Sequence, residues 1–302
     1  MGPRTVRFEN EFSAYTGASH SVAVSSGTAA LHLALRAAGL EAGDEVIVPA
    51  MTFTATAEVV CYFGGRPVLV DVERETGNMS VQAAERALTP RTRAIIPVHY
   101  GGQPCDMDGV MSLAQSRNLR VIEDAAHSLP ASFGGKQVGA IGDMTCFSFY
   151  ATKPLAAGEG GMVTTENEEW ADRIRVLRLH GISKDAWKRY SRGGSWFYEV
   201  IEPGYKYNMT DIQAALALAQ LAKLDAMTRR RKEICERYSD AVSGSPGLST
   251  TTLVPGRETS YHLFPLLVDP DAHTIDRARF IEELSARGIG TSVHFIPLHM
   301  HP

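Results

Sequence analysis

Residues 93–127 read RAIIPVHYGGQPCDMDGVMSLAQSRNLRVIEDAAH, and the order of patterns inside this stretch decides the fold. Residues 93–98 form a continuous apolar run, 107–117 carry helical patterning, and 119–123 form a second apolar run. A strand, a helix and a strand in that order make a crossover unit, which joins parallel strands. Runs that do not alternate with polar residues belong to strands covered on both faces.

The same alternation extends outward from this stretch. Residues 21–24, 45–48 and 66–70 read as further strands, and 28–38, 53–63 and 80–88 as helices between them. The expected fold class is therefore α/β, with a mostly parallel sheet in a large domain. Ligands in such folds bind beyond the carboxyl ends of the strands. After Tyr150 the pattern changes. Residues 210–239 read as one long helix, with Ile212, Leu216, Ala219 and Leu224 at near-helical spacing. Ser243-Gly-Ser-Pro-Gly247 reads as a turn-rich junction. Beyond it, 261–268 and 291–295 are expected strands and 275–287 an expected helix. The domain reading is a large domain over 1–242, including the long connecting helix, and a smaller α+β domain over 243–302.

Composition excludes several function classes. The net charge of −4 gives no electrostatic reason to expect nucleic acid or an anionic membrane as partner. The basic run Arg229-Arg-Arg-Lys232 falls in a helical stretch and reads as a solvated face. Cys61, Cys105, Cys146 and Cys235 form no CxxC pair, which argues against a structural zinc or a disulfide framework. Cys61 and Cys146 lie in apolar runs and read as core residues. No segment has the length of apolar sequence that a membrane span needs, and the N-terminus carries no apolar signal region. The expectation is a soluble, cytoplasmic protein.

Three segments carry chemistry. Ser25-Ser-Gly-Thr-Ala-Ala30 joins a strand to a helix. Gly27 permits a tight turn, and the Thr28 and Ala29 amides at a helix N-terminus suit a phosphate. The same residues also suit an ordinary capped turn. In Val121-Ile-Glu-Asp-Ala-Ala-His127, Asp124 ends a strand where ligands bind. A carboxylate there can hold a cationic pyridine nitrogen, as pyridoxal phosphate requires, and His127 could meet the ring hydroxyl or cover the ring face. Helix capping by Asp124 and a core role for His127 are the alternative. The third segment, residues 145–161, TCFSFYATKPLAAGEGG, places Lys153 after an apolar strand and before a glycine-rich run. Burial disfavours the charge of such a lysine and makes it a nucleophile suited to a Schiff base. Ser148 could add a hydroxyl to the phosphate site.

In order along the chain, SSGTAALHLAL, PAMTFTAT, PVHYGG, EDAAHS, FSFYATKPLAAGEGG and GYKYNMTDIQAALALAQL resemble the DegT/StrS family of sugar aminotransferases. The resemblance implies the aspartate-aminotransferase fold, a homodimer with shared active sites, and pyridoxal 5′-phosphate as cofactor. HGISKDAW followed by EPGYKYNMTD is most similar to the branch that aminates UDP-linked 4-keto-sugars. Lys153 matches the family's Schiff-base lysine, Asp124 the partner of the pyridine nitrogen, and His127 the neighbour of the ring hydroxyl. Thr28, with the Gly27 and Ala29 backbone, and Ser148 match phosphate contacts. Phe53 matches the position that stacks on the cofactor.

Asn208 falls in the loop the partner subunit contributes to the phosphate. Many relatives carry asparagine at the place of Lys206, which leaves open which of the two reaches it. Lys184, Trp187, Arg189 and Tyr190 lie in a stretch that, by resemblance, nears the neighbouring subunit's site. His294 and His299 are candidate contacts for the sugar nucleotide. They straddle Pro297 without a nearby carboxylate, so a metal site is not expected. Tyr261 and His262 read as packing residues.

The implied reaction moves an amino group from glutamate or glutamine to a nucleotide-linked keto-sugar. A pyridoxal-phosphate sugar dehydratase is the nearest alternative, and such relatives replace the lysine with histidine. A non-catalytic relative would lose Lys153 or Asp124. A nucleotide-dependent oxidoreductase would want a GxGxxG turn, which Ser25-Ser-Gly-Thr28 is not. Relatives carry a segment ahead of the motif matching Gly2-Pro-Arg4 and a closing stretch after the histidines. The chain therefore reads as truncated at both ends, and its small domain as incomplete.

Overall fold

A computed structural model describes residues 1–183 and 198–302. The elements begin with α1 (Pro3–Thr16), β1 (His20–Val24), α2 (Gly27–Ala37), β2 (Glu45–Pro49), α3 (Ala55–Cys61) and β3 (Arg66–Val70). Next come α4 (Val81–Arg86), β4 (Thr92–Ile95), α5 (Met107–Arg117), β5 (Arg120–Asp124), β6 (Ser132–Phe133) and β7 (Lys136–Gln137). They continue with β8 (Met144–Ser148), β9 (Gly161–Thr165), α6 (Glu168–Leu177), α7 (Asp211–Leu221) and α8 (Leu224–Val242). The last are β10 (Leu248–Thr250), β11 (Arg257–Glu258), β12 (Leu266–Val268) and α9 (Arg277–Ala286).

The central sheet has seven strands in the order β1-β9-β8-β5-β4-β2-β3. All run parallel except β9, which is antiparallel to both β1 and β8. Side chains on successive strand residues point to opposite faces, and each face has its own core. Val22, Val46, Ala94, Ile122 and Cys146 pack with α2, α3 and α6 on one side. On the other, Ala23 and Phe147 pack with α1 and α7, while Ile47, Ile95 and Val121 pack with α4 and α5. The result is a helix–sheet–helix sandwich, and burial on both faces explains the uninterrupted apolar strands.

Helix α1 was not anticipated from the sequence. Thr5, Phe8, Phe12 and Thr16 are its buried face, at helical spacing, and Pro3 sits in its first turn. Phe12 meets Phe147 and Phe149 edge-on and Phe8 meets Phe149, with ring centroids 5.1 to 5.6 Å apart. The helix thus packs beneath the end of β8. The expected single helix 210–239 is two helices. The chain tightens at Lys223, whose amide bonds Gln220 O at 3.0 Å, and Leu224 turns fully into the core beside α1. Cys61 is exposed rather than buried, whereas Cys146 is buried as expected. Arg231 departs from a solvated face. Its guanidinium is half-buried, its Nη2 donates to Pro154 O at 3.4 Å, and its Nη1 lies buried.

Neither strand expected near the C-terminus has the anticipated extent. Only Leu266–Val268 pairs, with β10, and 291–295 form no strand. Residues 259–265 dock on the large layer instead of pairing as a strand. Leu263 N donates to Gly101 O, Ser260 Oγ to His127 O, and Tyr261 adopts a left-handed backbone. Strand β11 also pairs with β6 in a three-stranded sheet with β7. The chain beyond 243 is therefore tied to the layer that precedes it. None of the residues of α9 is buried.

Candidate active site

A cavity of about 420 Å³ opens at the carboxyl ends of the parallel strands, within the size range of small-molecule sites. Each side of it is supplied by the turn after one strand. Ser26, Gly27 and Thr28 follow β1, Thr52 and Phe53 follow β2, and Ala126 and His127 follow β5. Ser148 ends β8, and Tyr150, Thr152 and Lys153 follow it. His294 and Phe295 arrive from the C-terminal segment and close the opposite wall.

The turn after β1 is shaped for an anion. Ser26 caps α2 by accepting the Ala29 amide at 3.0 Å. Ala29 is not a lining residue, and its amide is already engaged. The first-turn amides of Gly27 and Thr28 have no helical carbonyl to meet and lie at the positive end of the helix dipole. Position 27 must lack a side chain, because a Cβ there would stand 2.9 Å from Ser148 Cβ.

Asp124 ends β5 and is 6 % exposed. Its Oδ2 accepts Thr56 Oγ1 at 2.8 Å and its Oδ1 accepts the Ala126 amide at 3.1 Å. Burial pushes its carboxyl above the usual range, while Thr56, the Ala126 amide, Lys153 and His99 pull it down. Lys153 faces the same cavity. Burial brings its amine below the ordinary lysine range, with Asp124 acting in the opposite direction. A buried amine of lowered basicity is a nucleophile.

His127 is 5 % exposed, and its Nδ1 is buried without a hydrogen-bond partner among the described residues. Burial, then the charge of Lys153, holds the ring neutral, well below its usual pKa. The ring lies nearly parallel to Phe295, with centroids 5.8 Å apart, and His262 is 4.8 Å away. Phe295 in turn meets Phe53 at 6.0 Å. Phe53, Phe295 and His127 thus form an aromatic wall. Tyr100 OH donates to His294 O, which ties the C-terminal segment to the turn after β4.

The cavity therefore brings together Gly27, Thr28, Phe53, Asp124, His127, Ser148, Lys153 and His294. His299 is not among them; it lies on an exposed 3-10 turn, Leu298–Met300, that follows Pro297. Asn208 pairs with Val24 in a β-bridge and accepts Lys206 Nζ at 2.6 Å, and neither side chain lines this cavity. Lys184, Trp187, Arg189 and Tyr190 lie outside the described residues. His262, expected to be simple packing, borders the site through His127, and burial brings it down to about 3. The sequence reading also missed Thr56 and Phe295. Thr56 is a hydroxyl at a fully buried position of α3, a burial that only the structure shows.

These residues fit pyridoxal phosphate. The α2 turn with Ser148 would hold a phosphate, Asp124 a cationic ring nitrogen, the unpaired His127 Nδ1 a ring oxygen, and Lys153 an aldehyde carbon. The comparisons agree. The DegT/DnrJ/EryC1/StrS aminotransferase family matches residues 1–302. Spore coat polysaccharide biosynthesis protein SpsC of Bacillus subtilis is 52 % identical over 100 % of this chain and 78 % of its own length. Spr1654 of Streptococcus pneumoniae, solved in a PMP form, superposes with a TM-score of 0.94 at 36 % identity, covering 100 % of this chain and 80 % of that one. DesI, solved in the presence of its TDP-sugar product, gives 0.88 at 32 % identity, covering 99 % and 73 %. This chain belongs to the DegT/DnrJ/EryC1/StrS aminotransferase family and is a sugar aminotransferase that depends on pyridoxal 5′-phosphate.

Proposed function

We propose that the enzyme transfers an amino group from glutamate or glutamine to a nucleotide-linked keto-sugar, as a cytoplasmic homodimer. The observation that carries this reading is the meeting of Lys153, Asp124 and His127 in one cavity whose opposite wall carries His294. DesI, solved in the presence of its TDP-sugar product, supports a nucleotide-linked acceptor. The resemblance of residues 180–187 and 202–211 to the UDP-sugar branch favours a 4-keto group.

Bound pyridoxal phosphate supplies an aldehyde and an electron-withdrawing ring. This chain's residues do the rest. Lys153 Nζ holds the cofactor, then takes and returns the proton at the donor's Cα, a role its lowered basicity suits. Asp124 keeps a negative charge in a buried place, where its field is strong. The Gly27 and Thr28 amides with Ser148 anchor the phosphate, and Phe53 with Phe295 restricts water over the ring. His294 is the side chain placed to meet the sugar. Lys206 or Asn208, turned away from this cavity, would serve the phosphate of the partner's site.

The test is a two-stage assay on the holoenzyme. L-glutamate or L-glutamine should release its keto acid and bleach the visible band, and a UDP- or TDP-4-keto-sugar should then emerge as the amino sugar by mass spectrometry. Release of keto acid with no amination of either nucleotide sugar would remove the acceptor assignment. A dehydrated sugar as product would favour the dehydratase alternative.

A further inference from the structure

Two hydroxyls outside the family roles above converge on Asp124. Thr56 on α3 is fully buried and donates to Asp124 Oδ2 at 2.8 Å. Thr52, 2 % exposed and lining the cavity, stands 2.8 Å from Thr56, Oγ1 to Oγ1. A threonine hydroxyl has one proton and two lone pairs. The Thr56 proton is committed to the carboxylate, so the Thr52 proton must point at Thr56. Both dipoles are then aligned toward Asp124, and each bond polarises the next.

The chain opposes a specific cost. Asp124 sits at a strand end under α3, where burial favours the neutral acid. The charged or titratable groups facing it are Lys153 from the loop after β8, His99 from the turn after β4, and the Cys146 thiol on β8. The neighbouring Glu123 points to the opposite face, where it accepts His99 Nε2, Thr145 Oγ1 and the Gly142 amide. His99 takes the Cys105 amide at Nδ1 and meets Glu123 through Nε2, so Glu123 and not Asp124 is its carboxylate partner. Among the described residues, Lys153 is the facing cation with Asp124 as its carboxylate partner, and its amine is committed once it holds the cofactor. From that point, the hydroxyls and the Ala126 amide are what the protein itself offers the carboxylate.

We propose that Thr56, oriented by Thr52, is a positioning residue that holds Asp124 charged and turns its remaining lone pairs into the cavity. This rests on the reading of Asp124 as the partner of the cofactor's ring nitrogen. It adds that α3 maintains that charge.

The test compares Thr56→Val, Thr56→Ser and Thr52→Val with the unaltered protein, without and then with pyridoxal phosphate. In the cofactor-free protein, the Asp124 carboxyl is titrated by carbon NMR on labelled aspartate, with Asp124→Asn to assign the signal. Thr56→Val should raise the midpoint by about one to two pH units, the scale of one lost hydrogen bond to a charge. Thr56→Ser should restore it, and Thr52→Val should shift it less in the same direction. With cofactor, Thr56→Val should weaken binding and move the pH dependence of the visible band, and serine should rescue both. An unmoved midpoint in folded Thr56→Val overturns the proposal. If that variant does not fold, an unmoved midpoint in Thr52→Val does so. The cofactor-free titration stands apart from the ring-nitrogen reading: a shifted midpoint with unchanged cofactor spectra would leave Thr56 as the holder of Asp124 and sink the latter.

Discussion

Asp211, about 200 residues along the chain, closes the N-terminus of α1, its Oδ1 taking the Thr5 amide at 3.0 Å and the Thr5 hydroxyl at 2.8 Å. Gly2, the residue in the capping position of α1, has no side chain to do this. A Cβ at Gly2 would collide with the same carboxylate. One aspartate thus caps α1 while beginning α7. Asp211→Ala should cost about 1–2 kcal/mol of stability, the upper part of the range for a lost cap. Urea unfolding followed by circular dichroism measures it.

The aromatic cluster under β8 should weigh more. Phe12 is fully buried and touches the rings of Phe8, Phe147 and Phe149. Phe12→Ala should cost about 3–5 kcal/mol, as large-to-small core changes do. A loss under 1 kcal/mol by the same measurement would show that α1 is not part of the cooperative core.

Gly27→Ala should fold and yet bind the cofactor poorly. Its new methyl would press on Ser148 Cβ and displace the hydroxyl. A fall in pyridoxal-phosphate affinity of about tenfold or more is expected, the equivalent of about 1.4 kcal/mol, read by absorbance titration. Unchanged affinity would place the phosphate elsewhere.

The state of Lys153 can be read from pH. Burial lowers its pKa, so the neutral amine that attacks an aldehyde is present at lower pH than in an ordinary lysine. The rate of covalent capture of pyridoxal phosphate by the cofactor-free protein should rise with pH and level off below the usual lysine range. Lys153→Ala should show no covalent band at any pH.

The histidines give the stability profile its acid side. His127 and His262 are lowered below 6.5, His262 to about 3, so the unfolded chain binds protons that the folded one refuses. Their neutral burial has no proton-linked cost above the unfolded pKa. Stability falls as pH drops below it, and for His262 the loss continues until about 3. Denaturant unfolding at pH about 7.5 and about 5 should show the decline, and His262→Gln should make it shallower.

The sequence showed the sheet and most of the cavity because both depend on local signals. Strands buried on two faces leave uninterrupted apolar runs, and ligand groups sit immediately after them, as Asp124 and Ser148 do. What escaped depends on distant contacts. Helix α1 buries two large side chains and two threonines, a face too polar to declare itself, and its cap comes from Asp211. The break at Lys223 has no glycine or proline, so helical periodicity runs through it. The expected strand 261–268 pairs only over Leu266–Val268, because its first half meets the turn after β4 instead, where Leu263 N donates to Gly101 O.

The one reversed strand of the sheet governs how Lys153 is tethered. Ser148 on β8 and Gly161 on β9 are direct partners, and Phe149 N donates to Gly160 O just beyond them. The segment bearing the lysine is therefore a hairpin loop whose two stems are already closed by the sheet. Closing a short loop between paired stems costs little additional entropy, so the nucleophile is delivered to a fixed radius from its anchor. A parallel strand after β8 would have sent the chain away through a long crossover. Lys153 lies midway along that loop, so the paired stems on either side limit how far the reacting nitrogen can travel from the sheet.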